Sequence, residues 1–277
     1  MTMLRAITAL AGWLLAATAA LAQPDCGAED TPCTVAGAKY YVALPDEAHG
    51  APVVLFLHGY AASGAAAIRD SNLARQFTGR GYALVAPDGQ PDPLSPDLLD
   101  WGVADGFDQP RDDRAVLTAV RDDALRRFGL GPRLLLAGYS RGGSMVWDIA
   151  CADPGFADAY ASASGAFWEP MPESCAGGIH LHHSHGFTDS TVPLEGRRVA
   201  FHDMKFEQGN VFKALGIVLR ADGCPDMATE SVAVDGTWEK MWKGCAAGSV
   251  HLVLHPGGHG RVSGWPGKIL DWFETPD

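Results

Sequence analysis

The sequence predicts an α/β chain: a mostly parallel sheet with helices packed on both faces. Short, continuous apolar runs read as strands buried on two sides. These runs end repeatedly in turns rich in Gly, Pro or Asp. Stretches with helical spacing lie between them, and that alternation is the pattern of parallel strands joined by crossover helices.

The first 22 residues stand apart from this pattern. Arg5 precedes an apolar, Ala- and Leu-rich stretch that closes on Ala20-Leu21-Ala22. That is the layout of a secretory signal peptide with a small-x-small cleavage site, cut before Gln23. A transmembrane anchor is the alternative, but the apolar core is short and no second long apolar run exists. The expected location is therefore secreted or periplasmic, without membrane contact after cleavage. Residues 23–277 are expected to form a single domain.

Val53–Leu57 (VVLFL) gives the first clear strand and runs into His58-Gly59-Tyr60. Tyr82–Ala86 (YALVA) runs into Pro87-Asp88-Gly89. The segment Asp112–Phe128 carries Val116, Ala119, Val120 and Ala124 among its apolar positions, a spacing that fits one face of a helix. Leu134–Ala137 (LLLA) is a strand, and Gly143–Cys151 a helix just after it. Ala159–Ala163, Ile179–Ser184 and Val250–Leu254 are further strands. From about residue 216 to 248, two cysteines, two tryptophans and several glycines break the pattern. That stretch is expected to be an insertion between a helix and the last strand. No internal repeat and no Ser/Thr- or Pro-rich linker marks a second module.

The chain has 277 residues, 47% of them hydrophobic, enough for a sizeable core. Its formal net charge is −12, and the leader would remove one arginine and no acid. An acidic protein without a basic stripe repels phosphate backbones, which argues against a nucleic-acid partner. All six cysteines follow the leader: Cys26, Cys33, Cys151, Cys175, Cys224 and Cys245. An even number in an exported chain favours disulfides over a metal site, and no C-x-x-C pair is present. Six cysteines allow 15 connectivities; pairing neighbours, Cys26–Cys33, Cys151–Cys175 and Cys224–Cys245, is the simplest because each closes a short loop.

In such a sheet, ligands bind at the carboxyl ends of the strands. One stretch in that position is unusual: Gly138-Tyr139-Ser140-Arg141-Gly142, between the LLLA strand and a helix. This is a G-x-S-x-G nucleophile elbow in its required strand–turn–helix setting. The glycines are needed because a side chain two residues either side of the serine would strike neighbouring backbone. An ordinary turn with an incidental serine is the bland alternative.

An unactivated serine is a poor nucleophile, so an acid and a histidine should follow in that order. Asp189 lies in H-G-F-T-D-S-T-V-P, just past the run from Ile179, where a carboxylate would point into the mouth of the site. Otherwise it would only shape a loop. Asp222 and Asp226 are rivals inside the 216–248 stretch. His259 lies in L-H-P-G-G-H-G after the last strand, in a glycine-flanked loop near the C-terminus. A near-neutral imidazole suits accepting the serine proton and returning it to a leaving group. His255 competes but sits at the strand end beside Pro256.

Two backbone N–H donors are expected for a developing oxyanion, those of Arg141 and of Tyr60, with Gly59 allowing close approach. His58 precedes the serine and is expected to brace its loop. Trp101, Phe167, Trp168 and Trp265 are candidate walls of an acyl or aromatic pocket, though each could equally be core. The Arg141 side chain is a further candidate contact with substrate. Four histidines within six residues (His180, His182, His183 and His185) would suit Zn or Cu, but no carboxylate or cysteine completes an obvious ligand set. Neither metal nor cofactor is expected.

Taken together, F-L-H-G-Y, A-P-D-G, G-Y-S-R-G-G-S-M, H-G-F-T-D-S-T-V-P and G-G-H-G resemble the secreted α/β-hydrolase esterases. Within them the chain is similar to the group of polyhydroxybutyrate depolymerases, feruloyl esterases and acetyl xylan esterases, over roughly residues 36–275. The resemblance implies the α/β-hydrolase fold and cofactor-free hydrolysis of carboxylic esters through Ser140, His259 and Asp189. Extracellular polyester depolymerases usually add a linker and a polymer-binding domain. The chain shows neither, which favours soluble oligomers or aromatic and acetyl esters as partners. A serine peptidase of the same fold and a non-catalytic secreted binding protein are the alternatives.

Overall fold

The apolar runs become the middle of one twisted sheet. The computed structural model describes residues 25–103, 111–201, 204–234 and 236–275. The expected leader, residues 1–22, lies outside the described residues. In chain order, β1 (Cys33–Val35), β2 (Ala38–Ala43) and β3 (Val53–Leu57) are followed by α1 (Gly64–Arg69) and α2 (Ser71–Thr78). Next come β4 (Ala83–Pro87), the short pair β5 (Gln90–Asp92) and β6 (Ser95–Asp100), and α3 (Asp113–Phe128). β7 (Leu134–Tyr139) leads into α4 (Arg141–Ala152), and β8 (Ala159–Ala163) and β9 (His180–Gly186) follow. A hairpin of β10 (Arg197–Phe201) and β11 (Met204–Gln208) precedes α5 (Val211–Ala221). The last elements are β12 (Glu230–Val234), β13 (Thr237–Trp242), β14 (Ser249–His255) and α6 (Trp265–Glu274).

The main sheet has ten strands in the order β1-β2-β4-β3-β7-β8-β9-β14-β13-β12. From β4 to β14 neighbouring strands are parallel, whereas β1, β2, β13 and β12 join antiparallel at the two edges. Strand alternation divides the core in two. Val53, Leu55 and Leu57 pack with α3, α4 and α5 residues such as Leu117, Trp147 and Val218. Val54 and Phe56 pack with Leu73, Phe77 and Ile269 of α2 and α6 on the opposite face. This double coverage explains why β3, β4 and β8 lack polar alternation.

The helix bounds follow local chemistry. Asp112 caps α3 by accepting the Ala115 N–H at 3.1 Å, and Gly129 closes it at φ 63°. The stretch 216–248, expected as an insertion between a helix and the last strand, runs from α5 to the start of β14. It begins inside α5 and then supplies β12 and β13, a hairpin that extends the main sheet beyond β14. Pairing to the open edge of β14 satisfies the backbone groups that an excursion would leave to water. The cysteines pair as neighbours: Cys26–Cys33, Cys151–Cys175 and Cys224–Cys245. Trp265 is fully buried against Phe56, 6.3 Å between ring centroids, so it belongs to the α6 core and not to a substrate pocket.

Candidate active site

The site grows from the junction of β7 and α4. Ser140 sits between them at φ 56° and ψ −120°, a conformation that non-glycine residues rarely adopt. Strain of this kind costs on the order of 1–3 kcal/mol and persists only where neighbours enforce it. Here the Ser140 N–H is tied to Ala163 O at 2.9 Å, and its carbonyl accepts from Ser144 N–H at 2.9 Å. The glycines have a steric cause. A Cβ on Gly138 would collide with the Gly142 carbonyl, and one on Gly142 with the Leu57 carbonyl.

Ser140 Oγ lies 2.9 Å from His259 Nε2, and His259 Nδ1 lies 2.8 Å from Asp189 Oδ2. The two loops that bring these residues in follow β14 and β9, adjacent parallel strands. Asp189 Oδ1 accepts the N–H groups of Thr191 and Val192, both at 2.8 Å. Burial alone would raise the Asp189 pKa, but hydrogen bonds from His185, Val192 and His259 outweigh it and hold the carboxyl below its ordinary range. An ionised Asp189 requires the proton on His259 Nδ1, leaving Nε2 free to accept from the serine. His259 is further seated by Tyr139, whose hydroxyl donates to His259 O at 3.3 Å and whose ring lies 5.3 Å away.

The rivals lie elsewhere. Asp222 is buried beneath Ile179, accepting its N–H at 3.0 Å, and Asp226 is exposed. His255 accepts the Gly257 N–H at 3.2 Å within its own loop. The four histidines of β9 are divided by strand alternation. His180 meets Ser249 Oγ at 2.9 Å, His182 packs on His251 and Trp272, and His183 and His185 face α4.

The loop after β3 faces the elbow. A Cβ on Gly59 would sit 3.3 Å from the Ser140 Cβ, so glycine permits this approach. A turn follows in which Ala62 N–H donates to Gly59 O at 3.1 Å and Ala61 adopts φ 63°. Among the described residues, no protein acceptor engages the main-chain N–H of Tyr60 or of Arg141. His58 braces this loop from below. Its Nε2 accepts the Gly89 N–H at 2.9 Å, so Nδ1 carries the proton and donates to Gly59 O at 2.7 Å. Burial pushes the His58 pKa down, which keeps the ring neutral.

Trp101 is buried and donates to His58 O at 2.8 Å, so it supports the loop and does not line the pocket. Phe167 is likewise buried, packed edge-on against Trp147 at 5.2 Å. Trp168 does line the cavity of about 340 Å³ beside Ser140, together with Tyr60, Val192, Val199 and Phe206. The Arg141 guanidinium stacks over Trp168 at 4.7 Å and pairs with Asp100, so that side chain is occupied.

Three contributions were not evident from the residues. Asp100 holds Arg141 from 41 positions away. Ser164, at φ 50°, donates to Gly260 O at 2.9 Å and so pins the His259 loop. The β10–β11 hairpin supplies Val199 and Phe206, and is joined to residues 167–169 by Glu169 N–H to Glu207 O and Gly209 N–H to Phe167 O. The local sequence around these residues carries no signal for such long-range contacts.

No protein-family model matches the chain, and no curated protein matches it by sequence. Solved structures do match. An acetyl xylan esterase from Aspergillus awamori aligns with a TM-score of 0.67 at 14% identity, over 86% of this chain and 94% of that one. A carboxylesterase from Bacillus cereus aligns at 0.57 and 13% identity, over 86% and 94% of the two chains. Another, from Mesorhizobium loti, aligns at 0.55 and 18% identity, over 88% and 98%. With the parallel sheet and its helices on both faces, these likenesses identify the architecture: the chain has an α/β-hydrolase fold.

Proposed function

We propose that the chain is an exported serine esterase that hydrolyses carboxylic esters. The observation that carries this reading is the continuous Ser140–His259–Asp189 hydrogen-bond chain, 2.9 and 2.8 Å long, opening on an apolar-walled cavity. In the proposed mechanism, His259 Nε2 takes the proton as Ser140 Oγ attacks the ester carbonyl. Asp189 holds the imidazole and offsets its charge. The N–H groups of Tyr60 and Arg141 receive the oxyanion, and each such donor is worth about 3 kcal/mol in the transition state. His259 returns the proton to the leaving alkoxide, and the same base then activates water to release the acid from Ser140.

Trp168, Phe206, Val199 and Val192 form the apolar part of a cavity of about 340 Å³ that Asp92, Asp100, Arg141 and Arg197 also line, a space suited to an acetyl, feruloyl or hydroxybutyryl group. The named acetyl xylan esterase and carboxylesterases of the same fold support an ester over other acyl substrates. Three disulfides support an oxidising compartment, secreted or periplasmic. A substrate panel tests the reading: acetylated xylan, methyl ferulate, hydroxybutyrate oligomers and peptide anilides, with products read by mass spectrometry. Hydrolysis of at least one ester is expected. Release of anilide with every ester left intact would replace the esterase with a peptidase.

A further inference from the structure

His183 and His185 have a place in the structure that the mechanism above does not use. Both are buried, and both project from the same face of β9 toward α4. Trp147 Nε1 lies 3.3 Å from His183 Nδ1, and His183 Nε2 lies 3.1 Å from His185 Nδ1. His185 Nε2 then lies 2.7 Å from Val192 O and 3.4 Å from Asp189 Oδ2.

An indole N–H can only donate, so the direction of the chain is set at Trp147. His183 Nδ1 must accept, which places its proton on Nε2. His185 Nδ1 must accept that proton in turn, which places its own on Nε2, pointing at Val192 O and Asp189. Both rings are therefore held as neutral Nε2–H tautomers. Burial supports this at His183, whose pKa falls well below its ordinary value. The Val192 residue grasped by His185 also donates its N–H to Asp189 Oδ1 at 2.8 Å.

We propose that Trp147, His183 and His185 form a one-directional buried hydrogen-bond chain that positions Asp189 from behind, making His185 a positioning residue for the Ser140–His259–Asp189 triad. This rests on the hydrolase reading above. His185 fixes the 189–192 turn through Val192 O and shares the carboxylate oxygen that faces His259. Besides Asp189, the titratable groups around the two rings are His182 on the same strand and His255 on β14. Tyr139 faces His259, and Arg261 nearby is paired with Asp70 at 3.1 Å.

The test has two arms. In the wild-type protein labelled with 15N-histidine, NMR near pH 7 should show Nδ1 unprotonated and Nε2 protonated for both His183 and His185. A Nδ1–H or doubly protonated ring at either position overturns the chain, with no variant required. In the second arm, His185→Met removes the donor. Then kcat/KM for p-nitrophenyl acetate should fall several-fold, up to about 10-fold, on loss of the hydrogen bond to Val192 O and of the longer contact with Asp189. Its acid limb should move upward, because Asp189 Oδ2 is left to His259. His185→Gln, which keeps a donor at the Nε2 position, should return the limb toward wild type. A folded His185→Met with an unmoved acid limb overturns the positioning role. Labelling of Ser140 by a fluorophosphonate separates the two readings: no adduct sinks the hydrolase, while the NMR arm still decides the chain.

Discussion

Arg141 and Asp100 are joined by two parallel hydrogen bonds, Nε to Oδ1 and Nη2 to Oδ2, both 2.7 Å. The pair ties the first residue of α4 to the end of β6. Fork-to-fork geometry of this kind fixes orientation as well as adding energy. Asp100→Ala should leave Arg141 without its partner and cost about 1–3 kcal/mol of stability. It should lower kcat through the main-chain N–H of Arg141, the proposed oxyanion donor, and raise KM to a smaller extent through the cavity wall that both side chains help to form. Steady-state kinetics on p-nitrophenyl acetate alongside urea unfolding checks both.

Asp189→Asn should reduce kcat on the order of 10³- to 10⁴-fold, since an amide cannot hold the Nδ1–H tautomer of His259 as a carboxylate does. The stability effect has a defined sign. The folded carboxyl is held below its ordinary value, so its contribution is fully present above about pH 4, the unfolded value, and is lost as the pH falls further. Wild-type and Asp189→Asn unfolding curves should therefore keep a constant separation from pH 5 to 8 and converge in stronger acid.

Asp222 behaves in the opposite way. It is buried, Ile179 N–H meets only one of its oxygens, and burial raises its pKa to about 7. The unfolded chain ionises near pH 4 while the folded chain resists until about 7, so this residue subtracts stability progressively over that window. Asp222→Asn should be close to neutral below pH 4 and stabilising at pH 8, by at most about 4 kcal/mol. Denaturant unfolding at the two pH values measures the difference.

The Cys151–Cys175 bond ties the last turn of α4 to the segment before β9, closing a loop with a sequence separation of 24. The chain-entropy relation assigns such a loop about 3.5 kcal/mol. The double variant Cys151→Ala/Cys175→Ala should lose about that much in urea unfolding. It should retain turnover below its new midpoint, because neither cysteine touches the cleft.

The three side chains that meet at the cleft were readable because each follows a strand end and carries its own local pattern. Glycines flank Ser140, Asp189 sits in a turn it caps itself, and His259 lies in a glycine-rich loop. Asp100 and Ser164 were not readable, because their partners lie 41 and 96 positions away. The aromatic walls divided for a related reason. Residue type does not say which face of the fold a tryptophan covers, and Trp101 and Trp265 fill the interior while Trp168 borders the cavity. Of the strands, β3, β4, β7, β8, β9 and β14 were legible from their short runs alone. β12 and β13 were not, since an edge hairpin with an exposed outer strand has no such run.

Comparing the wild type with Ser140→Ala on p-nitrophenyl acetate tests the proposed nucleophile most directly. Wild-type protein should turn over with an initial burst as the acyl-enzyme forms, and the variant should lose both the burst and at least about 10³-fold in kcat, while unfolding near the same temperature, because alanine also carries a Cβ and leaves the backbone strain at this position unchanged. Equal turnover by the two proteins would contradict a mechanism built on Ser140.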